Sequence, residues 1–359
     1  MVSKRIDLPP GVLQPREAVL KMAPYNPPTG GRAGKLRLDF NENTVGASPK
    51  VVEYLREQLS ESGLAVYPEY EEVKPELAAF FGVETDDFTL TNGTDEAIQA
   101  LINTYVDDED EVLLLAPSYA MYRFYAEIAG ATVREILYRA DKLAFPLEEL
   151  LEAIKPGTRA ILVANPNNPT GTGTSRAAIE RILDKATGAA VLIDEAYYEF
   201  SGVTALPLIN DYPNLFVSRT FSKVYGMAAM RFGCLFSQSG NVEFIRKAQS
   251  PYSVNSLAVL AARAAIRDRT YIQKYVMEVL AARELLYVGL EKLGIDYYES
   301  QANFVLFNAG QRAIEIRDHL RSRGVLVRDR SYEIPGCVRV TTGTRDQIHK
   351  FLQELEAIW

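Results

Sequence analysis

Lys223 is the side chain of this sequence best suited to covalent chemistry. It follows an apolar run at residues 215–218 that predicts a strand, and hydroxyl side chains precede it at Thr220 and Ser222. Arg231 lies eight positions further on. A lysine amine can bond to an aldehyde, while hydroxyls and a guanidinium bind a phosphate. These side chains therefore indicate a site for a phosphorylated aldehyde, the alternative being that Lys223 is an ordinary solvated charge.

A carboxylate ends a second apolar run. Asp194 closes residues 191–193, and ligands of open α/β sheets bind at the carboxyl ends of buried strands. A buried carboxylate favours a cationic partner, which a protonated ring nitrogen would supply. Tyr197 comes three positions later and could reach a phenolate oxygen on the same ring. The alternative is an acidic helix cap followed by a core tyrosine.

Two further segments follow strand-like runs. Residues 165–171 read Asn-Pro-Asn-Asn-Pro-Thr-Gly, and the prolines would hold the Asn168 amide as a donor at the sheet edge, although turn chemistry alone explains the segment. Tyr119 follows the run at 111–115 and could stack on a flat ring. Both segments place polar or aromatic groups at the same edge of the predicted sheet as Asp194.

Residues 92–96 read Asn-Gly-Thr-Asp-Glu and open an apolar helical stretch. Free N–H groups at a helix start bind anions, and Gly93 would let a phosphate approach closely. A plain helix cap by Thr94 or Asp95 is the alternative.

The composition narrows the class of protein. With 359 residues, 47% hydrophobic and 24% charged, the chain can bury one large core and a smaller one. A net charge of −8 lacks the basic field of nucleic-acid binding, and no apolar run approaches the roughly 20 residues of a membrane helix. Without a secretory start, and with only Cys234 and Cys337, we expect a cytoplasmic protein. The two histidines indicate no metal site.

The elements that would position these residues suggest an α/β fold. Residues 1–35, rich in proline and glycine, predict an N-terminal arm, residues 36–251 a large domain with a parallel sheet, and residues 252–359 a small domain. The small domain opens on a long helix-like stretch at 256–293. The predicted strands of the sheet lie at residues 88–91, 111–115, 160–163, 191–193, 215–218 and 234–237.

Taken in order, the segments resemble the fold-type-I aminotransferases that use pyridoxal 5′-phosphate (PLP), most closely the histidinol-phosphate aminotransferase branch. The likeness covers nearly the whole chain. Besides the segments above, it rests on Leu-Asp-Phe-Asn-Glu-Asn at 38–43, Tyr-Pro at 67–68, Arg-Asp at 328–329 and Cys-Val-Arg-Val-Thr-Thr-Gly-Thr at 337–344. The resemblance implies an aspartate aminotransferase-like fold: a large domain with a mostly parallel seven-stranded sheet and a smaller α+β domain.

The resemblance also implies roles around the cofactor. Lys223 would carry PLP as a Schiff base, and Asp194 would pair with the pyridinium. Asn168 and Tyr197 would bond the phenolate oxygen, while Tyr119 would stack on the ring. The phosphate would be held by Thr94, Asp95, Thr220, Ser222 and Arg231, with Tyr67 reaching in from the partner subunit of a homodimer.

By the same resemblance, Asn168, Arg328 and Arg339 would contact the substrate, the two arginines at the anionic end of an amino donor or an oxo-acid acceptor. Tyr25 from the arm would close over it. The implied reaction converts histidinol phosphate and 2-oxoglutarate to imidazole acetol phosphate and glutamate. Residues 44–49, Thr-Val-Gly-Ala-Ser-Pro, depart from the proline-aromatic-glycine sequence more usual in the branch, and a different loop beside the substrate would alter substrate preference.

Three rival functions stay open at this point. An aromatic amino acid aminotransferase would share the whole cofactor site. A PLP-dependent phospho-amino-acid decarboxylase would share the fold, which does not decide which bond at the α-carbon breaks. A non-catalytic PLP-binding regulator is disfavoured because the sequence contains no basic DNA-binding segment.

Overall fold

The fold is taken from a computed structural model that describes residues 13–24, 30–140 and 142–359. The strands are β1 Leu36–Arg37, β2 Phe88–Thr91, β3 Glu111–Ala116, β4 Thr132–Leu137, β5 Thr158–Ala164, β6 Ala190–Asp194, β7 Leu215–Thr220, β8 Gly233–Phe236, β9 Tyr297–Tyr298, β10 Phe304–Asn308, β11 Val325–Leu326, β12 Arg328–Asp329 and β13 Cys337–Thr341. The helices are α1 Glu17–Lys21, α2 Pro49–Gln58, α3 Glu61–Leu64, α4 Val73–Phe81, α5 Gly93–Tyr105, α6 Ala120–Ala129, α7 Leu147–Ala153, α8 Arg176–Lys185, α9 Tyr198–Ser201, α10 Ser239–Ala248, α11 Ser256–Arg267, α12 Arg269–Lys292, α13 Ala313–Ser322 and α14 Arg345–Glu356.

Within the described residues, the central sheet has seven strands in the order β2-β8-β7-β6-β5-β3-β4. The strands from β4 to β7 are parallel neighbours, and β8 runs antiparallel to β7 and β2. Strands β5, β6 and β7 are almost entirely buried, as expected when helices cover both faces of a parallel sheet. The predicted mostly parallel seven-stranded sheet is confirmed.

All six strands predicted from apolar runs are present, with ends that differ by two residues at most. The seventh, β4, has no such run. Its residues Thr-Val-Arg-Glu-Ile-Leu lie at the sheet edge with only Ile136 buried, so burial does not impose an apolar sequence. An edge strand of this kind is hard to recognise without the structure.

A second, antiparallel sheet has the order β12-β13-β10-β9. Its core includes apolar side chains of α12, α13 and α14. Helix α14 begins with a reciprocal capping box between Thr344 and Gln347. The helix-like stretch at 256–293 is not continuous: Asp268, with φ −102° and ψ 56°, separates α11 from α12. The Ser48 hydroxyl donates to this aspartate at 2.5 Å.

The division of the chain at residues 35 and 251 stays a prediction. Strand β1 pairs in parallel with β11, and Leu38 belongs to the apolar core of the second sheet. Helix α11 packs instead against α2 and α4 and contributes to the core of the large sheet. The two structural units therefore exchange segments near both expected boundaries.

None of the described helices is long and apolar enough to cross a membrane. Cys234 and Cys337 are free and buried, and burial raises the pKa of each thiol. The two thiols are therefore small core groups that stay protonated near neutral pH.

Candidate active site

A cavity of about 540 Å³ opens at the carboxyl ends of the central strands. Ala164, Asp194 and Thr220, the last residues of β5, β6 and β7, all line it. The register places Ala164 beside Asp194, and Asp194 beside Ser218. Because neighbouring parallel strands end at one level, the loops after them meet here. The second sheet closes the opposite side through residues of β12 and β13.

Most predicted site residues meet in this cavity. The twelve that line it are Thr94, Asp95, Tyr119, Asn168, Asp194, Tyr197, Thr220, Ser222, Lys223, Arg231, Arg328 and Arg339. Tyr67 does not line it, and Tyr25 lies outside the described residues. Chemistry that needs these twelve groups together is therefore possible within a single chain.

Asp194 is buried at the floor of the cavity. Its carboxylate accepts hydrogen bonds from the Tyr122 hydroxyl at 2.7 Å, the Ser218 hydroxyl at 2.9 Å and the Ala196 N–H at 3.2 Å. No cation among the described residues pairs with it, and burial raises the pKa of the carboxyl. Asp194 is therefore an oriented carboxylate that lacks a cationic partner within the described protein.

Lys223 lies on the turn after β7 with its amine facing the cavity. The Nζ atom donates to the Phe40 carbonyl at 3.2 Å and lies 5.6 Å from the centre of the Tyr197 ring. No carboxylate among the described residues forms a salt bridge with this amine. Its nearest hydrogen-bond acceptor is a neutral carbonyl, so the amine remains available to a ligand.

The segment 44–49, where the sequence departs from the resemblance, lies behind the lysine turn. Asn43 donates to the Val224 carbonyl at 2.9 Å, and a Cβ on Gly226 would come within 2.4 Å of the Gly46 carbonyl oxygen. Gly226 has φ +70°, a conformation that favours glycine. None of residues 44–49 lines the cavity. The unusual sequence of residues 44–49 therefore packs against the turn that carries Lys223 and does not form part of the cavity wall.

Tyr197 and Asn168 connect the two sides of the cavity. The Asn41 side-chain amide donates to the Tyr197 hydroxyl at 2.9 Å. The Asn168 carbonyl oxygen accepts from Nη1 of Arg339. Because its oxygen faces a guanidinium, the Asn168 amide nitrogen remains as the donor for a ligand.

At the start of α5 the cavity is lined by donor groups that an anion could accept from. Arg231 donates to the Ser222 hydroxyl at 3.3 Å and to the Asp95 carboxylate at 3.1 Å. A Cβ on Gly93, whose φ is +72°, would lie 2.5 Å from the Arg231 guanidinium, so only glycine allows this approach. The Tyr119 hydroxyl donates to Asp95 at 2.8 Å. The Asp95 carboxylate accepts both bonds and has no hydrogen to donate, so Asp95 can offer an anion only its backbone N–H.

Arg339 is a buried cation at the substrate side. Its Nη2 donates to the Asp39 carbonyl at 2.6 Å, and its Nε has no hydrogen-bond partner among the described residues. No described carboxylate forms a salt bridge with it. Burial, and secondarily the nearby Arg330, lowers the pKa of Arg339 to about 10. The guanidinium is still charged at neutral pH and lacks an anion.

Several cavity residues were not assigned a role from the sequence. They are Arg32, Asn41, Glu42, Tyr122, Arg330, Tyr332 and Glu333. Arg32 binds the carboxylates of Asp39 at 2.9 Å and Glu42 at 2.6 Å, and it stacks 4.4 Å from the Phe40 ring centre. Of these residues, the sequence points only to Asn41 and Glu42, because they lie in the motif at 38–43 on which the resemblance rests. The others follow no apolar run that marks a strand end.

Tyr67 lies on the surface, away from its own chain's cavity. It is 73% exposed and stacks on Tyr252 with ring centres 4.4 Å apart. Leu64, Val66 and Tyr252 are also exposed. Exposed aromatic and apolar side chains grouped in this way are typical of surfaces that bind another protein.

This fold and site define a class of protein. Residues 33–355 match the family model of aminotransferase class I and II. The chain belongs to this family and is a PLP-dependent transaminase. The histidinol-phosphate aminotransferase of Symbiobacterium thermophilum is 36% identical over 359 residues, covering 95% of this chain and 98% of its own.

Solved structures agree on the fold. A histidinol-phosphate aminotransferase from Sinorhizobium meliloti in complex with pyridoxal-5′-phosphate has a TM-score of 0.80 and 24% identity, over 90% of this chain and 91% of that one. An aspartate aminotransferase mutant from Thermus thermophilus has a TM-score of 0.83 and 21% identity, over 97% of this chain and all of that one. The predicted aspartate aminotransferase-like fold is confirmed.

The residues of the cavity fit PLP. The buried Asp194 carboxylate lacks a cation, which a protonated pyridine nitrogen would provide. Ser222, Arg231 and the N-terminal end of α5 form an anion site, and the Lys223 amine has no carboxylate partner among the described residues. A carboxylate, an amine and an anion site in one cavity match the three functional groups of the cofactor.

Proposed function

We propose that this enzyme transfers the amino group of histidinol phosphate to 2-oxoglutarate, giving imidazole acetol phosphate and glutamate. The buried Arg339 guanidinium is the observation that supports it, because no described carboxylate neutralises it and a substrate anion would. Arg328 lies opposite Arg339 across the ladder and faces the same cavity. Two adjacent guanidiniums suit both a phosphate and a carboxylate. The name of the Symbiobacterium relative supports histidinol phosphate as the amino donor.

When bound, PLP supplies an electron sink for bond breaking at the substrate α-carbon. Lys223 is the residue that would hold the cofactor through its amine, and its Nζ would accept the proton that leaves the substrate α-carbon. The Asp194 carboxylate would pair with the protonated ring nitrogen. Tyr122 and Ser218 keep the Asp194 carboxylate oriented through their hydrogen bonds.

The remaining cavity residues bind and orient. We assign Tyr197 and the Asn168 amide to the phenolate oxygen, and Tyr119 to the ring face. The phosphate is assigned to Ser222, Arg231, the Thr220 hydroxyl and the N–H groups of Thr94 and Asp95. Arg328 and Arg339 are assigned to the substrate anion, and the role of Tyr25, which lies outside the described residues, stays a prediction. Each group is assigned to one part of the cofactor or the substrate, so its loss should weaken the binding of that part.

A half-reaction screen tests the proposal. The holoenzyme is mixed with single amino donors without acceptor, and the cofactor absorption is followed to the pyridoxamine form. Histidinol phosphate and glutamate should both convert it. If phenylalanine or tyrosine reacts far better than histidinol phosphate, the enzyme is an aromatic aminotransferase. If carbon dioxide is released and glutamate gives no conversion, it is a decarboxylase.

We also propose that the working unit is a cytoplasmic homodimer in which Tyr67 reaches the partner's cofactor phosphate. The exposed Tyr67–Tyr252 stack supports an interface, and the two buried free thiols suit a reducing compartment. Mixing Tyr67→Ala chains with Lys223→Ala chains tests the shared site. Each hybrid dimer would contain one site with both Lys223 and the partner's Tyr67, so activity should return. Impaired Tyr67→Ala protein that gains nothing on subunit exchange contradicts it.

A further inference from the structure

Three arginines meet on the substrate wall of the cavity. Arg328 and Arg339 are paired across the β12–β13 ladder, and the Arg330 N–H donates to the Cys337 carbonyl at 2.9 Å. Arg330 therefore continues the ladder just beyond β12. Side chains two residues apart on an extended strand point to one face, and all three arginines line the cavity. Arg330 has so far no role in the mechanism.

These arginines differ in how they are neutralised. Among the described residues, Arg328 and Arg339 have no carboxylate partner. Arg330 forms an ion pair with Glu333, and its Nη1 donates to the Tyr332 hydroxyl at 2.8 Å. Its Nε is buried and has no hydrogen-bond partner in the part of the chain that the structure describes. Arg330 is thus a buried cation with one resident anion and unused donor capacity.

Glu333 is an unusual residue for an anion-binding wall. It is part of the cavity lining, and its side chain is 21% exposed against 9% for Arg330. A carboxylate in this position competes with any substrate anion for the Arg330 guanidinium. A substrate carboxylate has the same charge as Glu333 and gains little by displacing it. A phosphomonoester carries about −1.5 to −2 charges at neutral pH and competes better.

We propose that Arg330 is a further specificity-determining residue: it joins Arg328 and Arg339 in binding the phosphate of a phosphomonoester substrate, whereas a carboxylate substrate is bound by Arg328 and Arg339 alone. Glu333 competes with the substrate anion for Arg330, so only an anion with more charge than a carboxylate displaces it. The inference rests on the proposed function, in which one wall must accept a phosphate and a carboxylate in turn. Differential affinity for the two anions is what would separate the two substrates.

The Arg330→Gln variant tests the proposal in the holoenzyme. The glutamate half-reaction is inhibited with inorganic phosphate or with acetate at about pH 8, where phosphate is mostly a dianion. The variant should raise the inhibition constant of phosphate at least about tenfold, as expected for one charge-assisted bond, and that of acetate by less than about threefold. The KM for histidinol phosphate should rise in parallel, while the KM for glutamate stays within about threefold.

Glu333→Gln should act in the opposite direction. Without its competitor, Arg330 is free for the ligand, so phosphate inhibits more strongly while acetate changes little. Arg323→Gln is the matched control, because Arg323 pairs with Glu354 at 2.8 Å on the surface of the same domain and does not line the cavity. It should leave both inhibition constants unchanged. Because both inhibition constants are measured on the same variant, a general loss of active protein does not change their ratio.

The outcomes separate this inference from the proposed function. If Arg330→Gln weakens both anions equally or neither of them, and Glu333→Gln does not strengthen phosphate, Arg330 is only structural. If histidinol phosphate fails as an amino donor in the wild type while both anion shifts occur, the proposed substrate is wrong and Arg330 remains selective for a phosphate. If histidinol phosphate reacts but the phosphate-to-acetate ratio is unchanged in Arg330→Gln, only the inference fails.

Discussion

The two halves of the cavity are built in different ways. In the cofactor half, Asp194 ends β6, Lys223 follows β7, and Arg231 lies just before β8, which runs antiparallel to β7 in the same sheet. The substrate half joins Asp39 and Arg339, whose hydrogen bond spans 300 residues of sequence. One edge of the large sheet thus positions the groups of the cofactor half, whereas the substrate half also depends on the packing of residues near Asp39 against the second sheet. We assign the chemistry to the cofactor half and the selectivity to the substrate half.

The largest loss of activity is expected from a substitution in the cofactor half. Lys223→Ala removes the amine that bonds the cofactor and carries the proton, so transamination should fall by at least about 10⁴-fold. The fold should persist, because within the described residues the amine makes a single hydrogen bond, to the Phe40 carbonyl. Steady-state assays and circular dichroism check both parts. A folded variant with a tenth of wild-type turnover would contradict the assignment.

Asp194→Asn should cost about 10²–10⁴ in kcat, because an amide cannot keep the ring nitrogen protonated. PLP should still bind through the anion site at Ser222 and Arg231, which the substitution leaves intact. Cofactor content and kcat are measured on the same preparation. If the Asp194→Asn protein binds a full complement of PLP and turns over at a near-normal rate, Asp194 has no role in the mechanism.

In the substrate half, Arg339→Ala should raise KM about 30- to 100-fold for both substrates, since charge-assisted bonds are worth about 2–3 kcal/mol. The cofactor should remain bound, because none of the groups assigned to PLP except Asn168 contacts this guanidinium. Half-reaction kinetics against donor concentration give KM. Loss of cofactor with unchanged KM would show that the two halves are not separate.

The smallest effect concerns the stability of the protein stripped of PLP. Burial raises the pKa of Asp194 above its ordinary value of 3.8, so the ionised carboxylate destabilises the folded apoprotein. That penalty is absent below the ordinary value, grows as pH rises towards the raised pKa and then levels off. The free energy of unfolding of Asp194→Asn should therefore rise relative to that of wild type as pH increases above about 4, and the difference should then level off. Thermal unfolding of both apoproteins measures it, and a difference independent of pH contradicts it.

The same contrast explains what the sequence could predict. Asp194 and Lys223 follow apolar runs long enough to mark buried strands, so their position at a sheet edge could be inferred from local pattern. Tyr122, which donates to Asp194, lies within α6 among other tyrosines and carries no such mark. Its role depends on the packing of α6 over the sheet.

Arg330 and Glu333 illustrate the limit in the substrate half. They follow a strand of only two residues, and their pairing arises in the connection between β12 and β13. Arg328 and Arg339 were predicted through the resemblance rather than through any periodicity. Arg32 meets Glu42 because the chain turns back on itself, which no local rule indicates.

Borohydride reduction of the holoenzyme tests the central claim most directly, that the cofactor half is organised around the amine at the end of β7. Reduction fixes bound cofactor on the lysine that holds it, and digestion with mass spectrometry identifies the peptide. The label should lie on the peptide that contains Lys223 and should be absent from the Lys223→Ala protein. A label on another lysine, such as Lys50 or Lys74, would contradict the account.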